Sequence, residues 1–111
     1  MAIKYSMEKQ TYHASVERAD RIARLEECLG FTNIVVERVC VRNGRPVREG
    51  ITSSGILVVR SLNSDAIVTA FMVRIEKAYA LCRDAGKKQI PPKLEAKIKK
   101  NAIRFPELFN I

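Results

Sequence analysis

Residues Ile51 to Met72 read ITSSGILVVRSLNSDAIVTAFM, and the reading of this stretch decides the fold. Ile56 to Ser61 and Ala66 to Phe71 are dense in strand-forming residues and apolar on both faces, the composition of strands covered on each side. Leu62-Asn63-Ser64-Asp65 between them is turn-forming, so the two runs predict a central antiparallel hairpin. Polar groups interrupt it at a few places. Thr52, Ser53 and Ser54 lead into the first run, and Thr69 stands between Val68 and Ala70. A hydroxyl in such a run is either hydrogen-bonded structure or part of a site.

Working outward toward the N-terminus, Ile34 to Arg42 is a strand rich in β-branched residues. It ends at Asn43-Gly44, whose residues both accept the positive φ of a type I′ hairpin turn. The return strand, Arg45 to Thr52, contains Pro46 and Gly50, which predicts an edge position or a bulge. Before these strands the period changes to that of a helix. Ser15 is placed to cap it, Val16, Ala19, Ile22, Ala23 and Leu29 form its apolar stripe, and Gly30 closes it. His13 then falls just before the helix.

On the C-terminal side, Val73 to Ala85 returns to helical spacing, with Val73, Tyr79, Ala80 and Leu81 as its packing stripe and Gly86 as its stop. Pro91-Pro92 opens a last helix that turns Leu94, Ile98 and Ala102 inward and halts at Pro106. The order helix, four-stranded meander, helix, helix is an α+β pattern. The chain reads as a single domain over 1–111, with 1–11 as an arm and 87–111 as a basic helix and tail.

At 111 residues and 47% hydrophobic content, the chain supports one domain with a real core. Its net charge of +8 predicts an anionic partner, nucleic acid foremost. Three widely spaced cysteines, odd in number, predict reduced, buried thiols in a cytoplasmic protein. With no CxxC pair and His13 as the one histidine, neither a metal site nor a cofactor is expected. No segment has the length and apolarity of a membrane span. There is also no GxSxG elbow, P-loop, GxGxxG or HExxH motif, which removes the common hydrolase, nucleotide-binding and zinc-peptidase classes.

The residues left to carry chemistry are few. His13 alone has an unperturbed pKa near neutrality, so it is the candidate for proton transfer. Arg18 and Arg21 follow it, and Ser54 and Thr69 supply hydroxyl donors. Toward the C-terminus Lys87, Lys88, Lys93, Lys97, Lys99, Lys100 and Arg104 are opposed by Glu95 alone within that span. Such a face is either plain solvated surface or a track for phosphates; the imbalance of sign favours phosphates. Lys93, Lys97, Lys100 and Arg104, with Thr52, are therefore the expected nucleic-acid contacts.

The pattern resembles the barnase, EndoU, colicin and RelE-like group of small ribonuclease domains, in the short forms carried by phages and other mobile elements. The residues that carry the resemblance run from His13 to Asn101. They are His13-Ala14 opening a helix with Arg18 and Arg21, strands reading TSSGILVV at Thr52 to Val59 and IVTAF at Ile67 to Phe71, and a basic tail from Pro91 to Asn101. The resemblance implies a metal-independent endoribonuclease of toxin type. Attack by the 2′-OH would leave a 2′,3′-cyclic phosphate, His13 acting as acid or base. Arg18 and Arg21 would hold the scissile phosphate, and Ser54 and Thr69 would donate to its oxygens. RNA, including tRNA, is then the substrate. Two other classes stay open: a non-catalytic nucleic-acid-binding protein, and a small protein whose basic face meets an acidic partner such as an antidote or immunity protein.

Overall fold

The structure, a computed structural model, describes residues 12–64 and 66–110, with 12–17 and 110 described by backbone alone. The arm expected over 1–11 lies outside the described residues. Helix α1 (Tyr12–Cys28) is followed by strands β1 (Ile34–Arg42), β2 (Arg45–Thr52), β3 (Ile56–Ser61) and β4 (Ile67–Met72). Helices α2 (Ile75–Asp84) and α3 (Pro92–Arg104) and a 3-10 turn, Pro106–Asn110, complete the order. The strands form one antiparallel meander in the order β1-β2-β3-β4. This is the α+β architecture predicted, with one helix before the sheet and two after it.

The turn chemistry explains the meander. Asn43 and Gly44 have φ of 53° and 78°, the left-handed pair that a type I′ turn requires. Gly30 (φ 78°) ends α1, its N–H donating to the Leu25 and Glu26 carbonyls. β2 is an interior strand, contrary to the edge position read from Pro46 and Gly50. Pro46 sits at its hairpin end opposite Val41, and Gly50 is required because a Cβ there would lie 2.9 Å from the Ile34 side chain. A register shift does occur, in β1 between Ile34 and Val36.

Each face of the sheet has its own core. α2 and α3 bring Ala78, Leu81, Leu94 and Ile98 onto Val36, Ile51 and Leu57. α1 and the 3-10 turn bring Ile22, Leu25 and Leu108 onto Ile56, Val58, Ile67 and Met72. β3 is thus covered on both sides, as its continuous apolar run requires.

Several predicted stripes are shifted. α1 starts at Tyr12, so His13 lies in its first turn and Ser15 is not its cap; no Pro or Gly from Tyr12 onward stops the helix from extending. Ala23 is exposed, and Leu25 takes its place in the core. On α2, Tyr79 faces solvent and donates to Glu95 of α3, while Ala78 and Cys82 are buried. On α3, Asn101 is inside and Ala102 outside, because the Asn101 amide donates to the Ser54 carbonyl across a glycine surface at Gly55. Cys28 is exposed and Cys40 half-buried, so only Cys82 is the buried thiol predicted.

Candidate functional site

Alternation along the strands sorts the α2/α3 face of the sheet into rows. The first row, Val36, Ile51, Leu57 and Phe71, is apolar and covered by the helices. The next is Arg38, Glu49, Val59 and Thr69; beyond it come Cys40 and Val47, and then Arg42 and Arg45 at the first hairpin. Polarity rises toward the two hairpin turns, and the helices do not extend over that end. A cleft of about 490 Å³ opens there, with Val47, Val59, Thr69 and Phe71 in its floor. That volume lies in the range of about 300–1,000 Å³ usual for ligand sites.

Four guanidinium groups line the cleft: Arg18 and Arg21 from α1, and Arg42 and Arg45 from the ends of β1 and β2. α1 lies against the opposite face, so Arg21 reaches the cleft around β4, the edge strand. Its Nε donates to the Ala70 carbonyl at 2.9 Å and its Nη2 to the Thr69 hydroxyl at 2.7 Å, which blunts the open edge and fixes the group. The β3–β4 pairing skips Val68, since Val59 faces Thr69 and Arg60 faces Ile67. Bulges of this kind re-aim side chains, and Val68 lines the cleft.

Arg42 folds back along the face. Its Nη1 donates to Glu49 Oε2 at 2.8 Å and its guanidinium lies 5.0 Å from the centre of the Phe71 ring. Glu49 is 3% exposed and also accepts from Arg38 Nε and Nη2 at 3.1 and 2.8 Å, with Lys77 Nζ at 3.9 Å. Burial pushes the Glu49 carboxyl up, but the bonds from Arg38, Cys40 and Arg42 and the charge of Lys77 outweigh it and hold the group below the usual carboxylate range. Burial and the bond to Glu49 raise the Cys40 thiol, which disfavours the thiolate that a nucleophile requires.

Among the described residues that line the cleft, the charged ones are all cations. Burial, then the charges of Arg18 and Arg42, lower the pKa of Arg21 from its ordinary value. Arg18 Nη1 is buried and has no hydrogen-bond partner among the described residues. Clustered, partly desolvated guanidinium groups are matched by an anion offering several acceptor oxygens, of which phosphate is the common example.

Of the residues singled out in the sequence, the cleft gathers Arg18, Arg21 and Thr69. His13 lies eight residues before Arg21 on the same helix, roughly 12 Å along its axis; its side chain lies outside the described residues. Ser54 is elsewhere. It is buried in the β2–β3 turn, donates to the Gly30 carbonyl at 2.7 Å and accepts from Thr52, whose oxygen in turn accepts from the Ile56 N–H. Val59 in the cleft floor is three residues along β3 from Ile56, where the strand leaves this turn, roughly 10 Å. Its role as a phosphate donor, and that of Thr52 as a nucleic-acid contact, are corrected: both hydroxyls are enclosed and engaged in tying the turn to the end of α1. Lys93, Lys97, Lys100 and Arg104 lie on α3, whose Asn101 packs at this same turn, the end of the sheet away from the cleft.

Arg42 and Arg45 were not singled out. The signal for them was alternation: counted in steps of two from Val36, Arg38, Cys40 and Arg42 must share a face. Comparison with protein-family models, curated proteins and solved structures finds no match to this chain.

Proposed function

We propose that the cleft seats the phosphodiester backbone of RNA and that the protein cleaves it without a metal. The observation that carries this reading is convergence: Arg18 and Arg21 of α1 and Thr69, 48 residues beyond Arg21, line one cleft together with Arg42 and Arg45. Arg18, whose buried Nη1 has no hydrogen-bond partner among the described residues, and Arg21 would hold non-bridging oxygens of the phosphate. Thr69, already accepting from Arg21, has its own proton to give to a third acceptor. Charge developing on the phosphorane would meet groups that are already in place, the arrangement that lowers such barriers most. Among the described cleft residues none titrates near neutrality, so proton transfer falls to His13 on the helix that carries Arg18 and Arg21.

The test is incubation of the protein with total RNA and tRNA in EDTA, followed by end-group analysis. Cleavage to 2′,3′-cyclic phosphate ends, abolished by His13→Ala and by Arg21→Ala, is expected. A second reading, binding without cleavage, is favoured by the polar lining of the described cleft, which is four arginines, the Asn43 amide and the Thr69 hydroxyl. It is selected if RNA binds in a steeply salt-dependent way and stays intact. Intact RNA with no binding refutes both.

A further inference from the structure

The arginine cleft continues past Phe71. A second hollow of about 300 Å³ shares Arg42 and Phe71 with it and runs past Val73 to Arg74 and Lys77 at the start of α2. A third, of about 240 Å³, shares Val73 and Arg74 with the second and reaches Lys99 and Phe109. Through these shared residues the three hollows follow one another along β4 and the N-terminal end of α2, as the segments of a trough. Among the described residues no acid lines the first two, and Glu76 is the one acid lining the third.

We infer that this trough is the path of a single RNA strand several nucleotides long, lying backbone inward from the arginine cleft over Arg74 and Lys77 toward Lys99. The inference rests on the phosphate-seat reading and adds the length, polarity of contact and strandedness of the ligand. Arg74 and Lys77 are exposed, and Lys77 approaches Glu49 no closer than 3.9 Å, so both can turn to a phosphate. The aromatic rings of the trough are not stacking platforms. The guanidinium groups of Arg21 and Arg42 lie 5.9 and 5.0 Å from the centre of Phe71, and that of Arg74 lies 4.8 Å from the centre of Phe109. With those rings engaged by cations, the bases face outward and binding is tolerant of sequence.

Beyond the arginine cluster the cations succeed one another, Arg74 and Lys77 and then Lys99, which suits one row of phosphates. The other basic surface does not supply a second row. Lys93, Lys97, Lys100 and Arg104 recur at i, i+4, i+7 and i+11 and share one flank of α3. At about 100° per residue that flank is turned roughly half a circle from Ile98, Lys99 and Ala102, which line the trough.

The experiment is fluorescence anisotropy with 2′-O-methyl RNA, which lacks the attacking hydroxyl, as four- and twelve-nucleotide strands and a twelve-pair duplex, from about 50 to 200 mM salt. The longer strand is expected to show the steeper salt dependence. Replacing Arg74 and Lys77 together by alanine should lower its log–log slope by about 1.4, at about 0.7 per cation, and leave the short strand unchanged. Lys93→Ala with Lys100→Ala should change neither. Equal slopes for the two lengths, a loss carried by the α3 pair, or a steeper slope for the duplex overturns the trough. Failure of the underlying seat reads differently: Arg21→Ala would then bind both lengths as the parent does.

Discussion

Glu49→Gln tests the link between the fold and the cleft. The carboxylate accepts two bonds from Arg38 and one from Arg42, all within 3.1 Å, and is 3% exposed. Hydrogen bonds to a charged group contribute about 1.5–3 kcal/mol each. Three such bonds are not lost outright. Glutamine keeps one acceptor oxygen, Arg38 retains Asp84, and Arg42, with 36% of its side chain exposed, rehydrates. A net loss of about 2–3 kcal/mol at neutral pH follows, and urea denaturation would read it as a midpoint lowered by about 1–2 M. The pH dependence sharpens the test. Glu49 is held below its ordinary value of 4.5, so its stabilisation is full at neutral pH and is lost as pH falls through the lower folded value. Parent and variant should therefore converge in acid. A variant as stable as the parent at neutral pH, or a gap that persists unchanged well below pH 4, would refute the assignment.

Two further substitutions probe the far end of the sheet. Gly55→Ala places a Cβ against Asn101 Nδ2 at a φ of 92°, and should cost about 3 kcal/mol by chemical denaturation, from the strained backbone and the lost bond to the Ser54 carbonyl. Ser54→Ala should lower stability by about 1–2 kcal/mol while RNA binding and cleavage per folded molecule stay at the parent level; a loss of activity in the folded variant would return Ser54 to the site.

How much of this was legible in the sequence differs by element. The hairpin turns and the last helix were fixed by local chemistry, Asn43-Gly44 and Pro91-Pro92 acting through φ alone, and their boundaries hold to within a residue. The position of β2 was not local. Pro46 and Gly50 suggest an edge when taken in isolation, yet Pro46 is harmless beside a turn and Gly50 answers to Ile34 across the pair. Ser54 and Thr69 looked alike because each is a hydroxyl beside an apolar run. Register separates them: Thr69 faces Val59 under the arginines, whereas Ser54 sits beyond the start of β3, where the chain doubles back toward Gly30. Tertiary contact decided which hydroxyl is structural, and composition does not encode that.

The arginine cleft also carries a cost that makes its purpose testable in the unliganded protein. Arg21 is held below its ordinary pKa by burial and by the charges of Arg18 and Arg42, so repulsion among these guanidinium groups is a standing destabilisation of the folded state. Arg18 adds a buried nitrogen with no hydrogen bond among the described residues. Removing such a group in favour of an apolar one of similar length relieves both terms, whereas a merely structural arginine would be missed. Arg18→Met should therefore raise the melting temperature of the free protein. The same change should shrink the stabilisation that a 2′-O-methyl oligonucleotide gives, which for the parent at a hundredfold excess over Kd is about 2.7 kcal/mol. Opposite signs in the two measurements are what a cleft built for an anion requires. If Arg18→Met melts below the parent and keeps the full ligand increment, Arg18 is part of the scaffold and the cluster has another origin.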